Sequence, residues 1–88
     1  MYLMNKLKKF ISKNAYISEY TKEYDAEENI YFYEAIINIT FKNKYYCEKI
    51  FSSSHNIYNK DYKNELIDKI TNKIIFDLGL LELNKIDF

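Results

Sequence analysis

The stretch from Ile30 to Phe51 constrains the fold more than any other part of the chain. It contains two runs rich in β-branched and aromatic residues, separated only by Lys42, Asn43 and Lys44. Such residues favour strands, and asparagine tolerates the left-handed backbone conformation that a tight turn requires. The stretch therefore predicts a β-hairpin, and the rest of the chain must supply cover for a sheet built around it.

The first run of the hairpin has apolar residues at every second position. The row comprises Tyr31, Tyr33, Ala35, Ile37, Ile39 and Phe41. This period of two predicts a strand with one face against a core. The opposite row is mixed rather than polar, because it contains Ile30, Phe32 and Ile36, so we expect that face to need cover as well. Three sources of cover are open: the C-terminal tail, a second copy of the protein, or a partner.

Two amphipathic patterns flank the hairpin. Apolar residues at helical spacing predict a first helix from about Leu3 to Lys13, with lysines on its other face. A second stripe predicts a helix from Tyr62 to Leu78 that ends at Gly79, the only glycine of the chain. The polar loop Ser52 to Asn59 precedes this helix, and Asn56 or Asn59 is the expected N-cap.

Two segments fit more than one structure. Tyr16, Tyr20 and Tyr24 suit either a helix or a strand; we favour a strand from about Tyr16 to Tyr24, followed by an acidic loop over residues 25–29. Leu80 to Phe88 fits an extra edge strand or an apolar tail that docks on a neighbour. The predicted fold is thus α+β, a single domain over residues 1–88. It has an antiparallel sheet of three to four strands, with an N-terminal and a C-terminal helix packed on one face (α-β-β-β-α).

Composition excludes most catalytic machinery. A phosphate-binding loop needs several glycines, and a structural zinc site needs about four Cys or His ligands, whereas the chain has one glycine, one cysteine (Cys47) and one histidine (His55). Cys47 and His55 could pair as nucleophile and base, but nothing nearby provides an orienting group, and a packed Cys47 with a solvated His55 is the simpler interpretation. We expect no enzymatic activity, no cofactor and no metal.

The location of the protein is also predicted from composition. A lone cysteine cannot form an internal disulfide, which suits a reducing compartment. No apolar run has the length of a transmembrane helix, and the N-terminus has no signal-peptide core. We therefore expect a cytoplasmic protein of the host cell with no membrane partner.

Charge is segregated along the chain, although 13 basic and 13 acidic residues give a net charge of zero. Acidic residues and tyrosines cluster between residues 19 and 34, which is either a solvated surface or a face that binds a partner protein and presents carboxylates in place of phosphates. The candidate partner-binding residues are Glu19, Tyr20, Glu23, Tyr24, Asp25, Glu27, Glu28 and Glu34, with Tyr16 beside them.

Nucleic-acid binding is the alternative interpretation of the charge. This alternative needs several lysines to converge, with two tyrosines as stacking surfaces. These residues are Lys6, Lys9, Lys13, Lys42, Lys44, Tyr45 and Tyr46. The chain has no arginine for bidentate phosphate contacts, and its net charge is zero, so nucleic acid is possible but not favoured.

The arrangement of the chain resembles that of small phage-encoded anti-CRISPR proteins. The matching features are a short opening helix at Met4 to Lys13, a strand meander with acidic loops at Tyr16 to Phe51, the polar loop, and a closing helix. The resemblance implies a non-enzymatic protein that binds and inhibits an RNA-guided Cas effector. The resemblance does not identify any functional residue in this chain. A nucleic-acid-binding accessory protein and a homodimer that buries Ile30, Phe32, Ile36 and the C-terminal tail are the alternatives.

Overall fold

The computed structural model of the chain describes residues 2–18, 21–52 and 61–88. Its helices and strands are, in order, α1 (Tyr2–Asn14), β1 (Tyr16–Ile17), β2 (Thr21–Asp25), β3 (Ile30–Phe41), β4 (Lys44–Ser52), α2 (Tyr62–Leu78) and α3 (Leu80–Asn84). All described strand pairs are antiparallel. The α+β prediction, with an antiparallel sheet between N-terminal and C-terminal helices, is confirmed.

The long strand β3 is the centre of the sheet. It pairs with β4 along one side, and with β1 and then β2 along the other. Lys42 and Asn43 join β3 to β4 with φ angles of 52° and 64°. Two consecutive left-handed residues are typical of the two-residue turn whose twist matches that of the flanking strands. The predicted hairpin is therefore confirmed, including the turn at Asn43.

The two faces of the sheet differ in burial. On the face that the helices cover, here called the inner face, Tyr33, Ala35, Ile37, Ile39 and Phe41 are all buried, as the period-two row predicts. Tyr31 belongs to the same row but is 56% exposed, because it lies beyond the helical layer. The opposite face, here called the outer face, carries the even-numbered residues of β3.

The helices close the core over the inner face. Fully buried side chains come from one stripe on each long helix: Leu7 and Ile11 from α1, and Leu66, Ile70 and Ile74 from α2. Burial of these apolar side chains is the main stabilising contribution that a chain of this size can make. Both predicted helices are confirmed.

The ends of α2 are set in different ways. Gly79 has a φ of 82°, and its backbone N–H donates a hydrogen bond to the Ile75 carbonyl at 2.8 Å, so the predicted C-cap is confirmed. At the other end Asp61 occupies the N-cap position without a side-chain capping bond. The caps that the sequence predicted, Asn56 and Asn59, lie outside the described residues.

The C-terminal segment does not form the edge strand that was one of its two predicted structures. It forms the short helix α3, which packs on the core of its own chain. Leu83 is fully buried, and Ile86, three residues on, packs against the core. The Phe88 ring lies 5.7 Å from the ring of Phe10 and 6.1 Å from that of Phe41. The tail is thus unavailable to cover the outer face.

The strand predicted from Tyr16 to Tyr24 is confirmed in two described pieces, and the helical alternative is wrong. The pairing register shifts by one residue between them, since Ile17 pairs with Ile37 whereas Thr21 pairs with Glu34. A one-residue shift sends side chains to the other face of a sheet. Tyr16 therefore lies on the outer face and Tyr24 on the inner one, so they do not form the single tyrosine face that the sequence suggested.

One polar network links the hairpin turn to α2. The Asp77 carboxylate accepts hydrogen bonds from the Tyr46 hydroxyl at 2.7 Å and from the Lys44 ammonium at 3.0 Å. Burial raises the pKa of Tyr46 to about 12, and the bond to Asp77 adds to that rise. The hydrogen bonds from Tyr46 and Lys44 hold the pKa of Asp77 below its ordinary value. The network therefore favours a protonated Tyr46 and an ionised Asp77.

We expect Tyr46→Phe to lower the free energy of unfolding by about 1 kcal/mol near neutral pH, because one hydrogen bond is lost. An unfolded tyrosine titrates near pH 10, below the pKa of Tyr46 in the folded protein. The protonated Tyr46 therefore contributes its full stabilisation of the folded protein below pH 10, and this stabilisation is lost as the pH rises towards 12. Urea unfolding of both proteins should show their difference shrinking over that range. A difference that stays constant would contradict the network.

Candidate interaction surface

The β2–β3 hairpin extends past the helical layer as an arm, defined here as residues 22–31. Along the inner face of the sheet the exposed fraction changes abruptly from 5% at Tyr33 to 56% at Tyr31. Tyr24, the cross-strand partner of Tyr31, is 50% exposed. The arm is therefore held by β-pairing and by its own side chains rather than by the core.

A compact turn closes the tip of the arm. The Asp25 carboxylate accepts hydrogen bonds from the backbone N–H groups of Glu27 at 3.0 Å and Glu28 at 3.3 Å. Asn29 completes the turn with a φ of 55°, a left-handed conformation that asparagine tolerates. Asp25, predicted as a partner-binding residue, thus has a structural role in shaping the tip.

The two tyrosines stiffen the arm on its inner side. Their rings lie 5.0 Å apart, and the Tyr24 hydroxyl donates a hydrogen bond to the Asn29 side-chain oxygen. The Lys22 ammonium stands 4.5 Å above the Tyr31 ring, within range of a cation–π interaction. These local contacts organise the arm before any partner arrives, which reduces the entropy that binding would otherwise cost.

The arm carries four carboxylates and one lysine. Glu23, Glu27 and Glu28 are exposed, and Asp25 caps the turn as described. Of the other predicted residues, Glu19 and Tyr20 lie outside the described residues. The structure brings the described acidic candidates together on one projection, with a single exception.

The exception is Glu34. It lies on the outer face but is only 7% exposed, and its carboxylate pairs with the Lys49 ammonium at 3.6 Å. Its position on β3, the central strand, leaves neighbours on both sides, Thr21 on β2 and Phe51 on β4. Glu34 therefore differs from the other described candidates, because its carboxylate is nearly buried and paired, and its part in partner binding stays a prediction.

The outer face is exposed and rich in large apolar side chains. The described helices pack on the other side of the sheet, and four outer-face residues remain far from buried: Tyr16 at 66%, Tyr45 at 66%, Phe51 at 62% and Ile30 at 46% exposed. The Phe32 and Phe51 rings lie 5.8 Å apart. Contiguous exposed apolar surface marks interaction sites. The mixed row of β3 predicted this face, whereas Phe51 was missed and Tyr45 was considered only as a stacking surface for nucleic acid, although their alternation with Lys49 placed both on this face.

The free edge of β4 is protected by lysines from α2. The Lys69 ammonium donates to the Lys49 carbonyl at 3.2 Å, and the Lys73 ammonium donates to the Cys47 carbonyl at 2.9 Å. Lysines at an edge are a common device against pairing with a foreign strand. A partner is therefore better accommodated on the face of the sheet or the arm than along this edge.

The lysines considered for the nucleic-acid alternative do not all lie together. Lys6, Lys9 and Lys13 line one cleft together with Phe10 and Phe88. Lys42 borders an adjacent hollow, and Lys44 is paired with Asp77. The two neighbouring tyrosines also separate, since Tyr46 is buried in the core and Tyr45 is exposed on the outer face.

No protein family, curated protein or solved structure matches this chain. Within residues 2–18, 21–52 and 61–88, no group of three or more Cys, His, Asp or Glu could hold a metal ion. No helix in that part of the chain has the length and apolar character needed to cross a membrane. Cys47 is partly buried on the outer face opposite Asn38, and His55 lies outside the described residues. Inferences about function therefore depend on the surfaces of this chain, chiefly the arm, the outer face and the cleft along α1.

Proposed function

We propose that this chain is a binding protein that inhibits a nucleic-acid-handling enzyme, and that its target is an RNA-guided Cas effector. The observation that carries the proposal is the acidic arm, which projects from the core and is ordered by its own contacts. Among nucleic-acid-handling enzymes, we propose a Cas effector as the target because the chain resembles anti-CRISPR proteins.

Charge complementarity explains why such an arm suits such a partner. Enzymes that handle nucleic acids have grooves of positive potential, which attract carboxylates as they attract phosphates. The exposed carboxylates of Glu23, Glu27 and Glu28 lie within six residues of one another on one hairpin. Tyr24 and Tyr31 add aromatic contact area, the type of side chain that often dominates binding energy at interfaces.

The outer face supplies the apolar part of the same interface. Ile30 and Phe32 continue from the arm onto the sheet, where Phe51 is 62% exposed. Burial of such side chains contributes about 25 cal/mol for each Å² removed from water. The arm would orient the partner by charge, and the apolar face would supply contact area beside it.

The test is inhibition of target-DNA cleavage by a panel of purified RNA-guided nucleases. The triple variant Glu23→Gln, Glu27→Gln and Glu28→Gln should raise the inhibitory concentration at least about tenfold, because three charge interactions of about 0.5 to 1 kcal/mol each are lost. The wild-type inhibition should also weaken as salt is added.

A matched triple variant controls for loss of negative charge in general. Glu65→Gln, Asp68→Asn and Glu82→Gln remove three carboxylates from the helices and leave the arm intact. This control should inhibit as the wild type does. Equal loss of inhibition in both triple variants, or no inhibition of any nuclease by the wild type, would contradict the proposal.

A further inference from the structure

A basic cleft lies along α1, separate from the arm and from the outer face. Lys6, Lys9 and Lys13 line it, Phe10 and Phe88 complete the lining, and its volume is about 360 Å³. The lysines occupy positions i, i+3 and i+7 of the helix, which places them on one face. At a rise of about 1.5 Å per residue, the three span about 10 Å along the helix axis.

The positive charge of this cleft is not neutralised within the described part of the chain. No described carboxylate forms an ion pair with Lys6, Lys9 or Lys13, whereas Lys8, on the same helix, pairs with Asp68 at 2.9 Å. The Lys6 ammonium stands 4.4 Å above the Tyr2 ring, an interaction that leaves its charge intact. The cleft therefore attracts an anion.

The aromatic lining indicates which class of anion fits the cleft. The Phe88 ring packs against Phe10 and Phe41, with centroids 5.7 and 6.1 Å away, those two rings lie 5.5 Å from each other, and Phe88 remains 38% exposed. A partly exposed ring in a fixed position offers a surface on which a planar group can stack. A base stacked on an aromatic side chain, with phosphates beside a row of lysines, is the usual arrangement for single-stranded nucleic acid.

We propose that the α1 cleft binds single-stranded nucleic acid, with the phosphates at Lys6, Lys9 and Lys13 and one base on Phe88. An acidic peptide would use the lysines but would have no need of the ring, and a duplex would keep its bases stacked inside. The site is independent of the proposed inhibitory arm, which has the opposite charge. A protein with both surfaces could contact an enzyme and its nucleic acid at once.

The direct test is fluorescence anisotropy with a short fluorescein-labelled oligothymidylate. Neutralising three phosphates of a single strand predicts a log-log salt slope of about −2, which weakens affinity about 20-fold between about 50 and 200 mM salt. Replacing Lys6, Lys9 and Lys13 together with glutamine should abolish this slope and most of the binding. Lys8→Gln removes a charge from the same helix and should leave the affinity nearly unchanged.

The contribution of the Phe88 ring to binding is tested separately. Phe88→Leu keeps an apolar side chain but loses the stacking surface, and should weaken binding at least about fivefold, whereas Phe88→Tyr should retain the wild-type affinity. The arm triple variant should bind as the wild type does, so this site and the proposed inhibitory function can fail independently. Absence of wild-type binding would overturn the proposal. So would a Phe88→Leu variant with full affinity, or polyglutamate that binds as tightly as the oligonucleotide.

Discussion

Replacing Ile37 with alanine is expected to lower the free energy of unfolding by about 3 kcal/mol, because the change leaves a cavity in the packed core. Ile37 is fully buried on the inner face of β3, between Ile17 on β1 and Glu48 on β4. A loss of this size is a large fraction of the stability of a small domain. Chemical unfolding followed by circular dichroism measures it.

The neighbouring isoleucine provides a matched control. Ile36 is the same residue type, one position earlier on the same strand, but its side chain lies on the outer face and is only partly buried. Ile36→Ala should cost about 1 kcal/mol or less, mainly through the weaker strand preference of alanine, which both variants share. Equal losses for the two variants would mean that the sheet is covered on both faces.

Leu83→Ala is the second substitution with a large expected effect, again about 3 kcal/mol. Leu83 is fully buried where α3 folds back on the core. For a domain of this size such a loss lowers the melting temperature by roughly 12 to 24 °C. Differential scanning calorimetry of the dilute protein measures this shift.

Leu81 is the control for that experiment. It lies in the same short helix but is 80% exposed, so Leu81→Ala should change stability by less than about 0.5 kcal/mol. If Leu83→Ala were equally harmless, α3 would not belong to the core of its own chain. A melting temperature of the wild type that rose with protein concentration would further indicate that the segment docks on a second copy.

Local patterns were sufficient to predict most elements of the fold. The hairpin followed from alternation on both sides of Asn43, and α2 followed from a stripe that ends at the only glycine. These signals depend on periodicity and on backbone preferences, which act within a few residues. The buried row of β3 was correct from Tyr33 to Phe41 for the same reason.

Features that depend on tertiary packing were not predicted. The register shift between β1 and β2 left no trace in the sequence, because Tyr16 and Tyr24 suit either face of a strand. The alternation of Leu81 and Leu83 suggested a strand, whereas burial of Leu83 against the core and the turn at Gly79 produced a helix. In both cases the deciding contacts join residues far apart in the chain.

The candidate site was predicted in composition but not in shape. The acidic residues were evident in the sequence, yet their projection beyond the core depends on where the helices end above β3, which makes Tyr31 exposed and Tyr33 buried. The burial of Glu34 likewise depends on strands that flank it on both sides. Charge clusters can be found from sequence, whereas their accessibility requires the packing.

Under the proposed function, the chain inhibits a Cas effector by occupying it through the acidic arm, one molecule of inhibitor for each molecule of effector. The most direct measurement is a titration of cleavage activity at several fixed concentrations of a susceptible RNA-guided nuclease, all well above the dissociation constant. We expect the residual activity to fall linearly and to end near one equivalent of inhibitor, with the endpoint moving in proportion to the nuclease. Complete inhibition at a small fraction of an equivalent would indicate catalytic turnover and would contradict the account, as would unchanged inhibition by the arm triple variant.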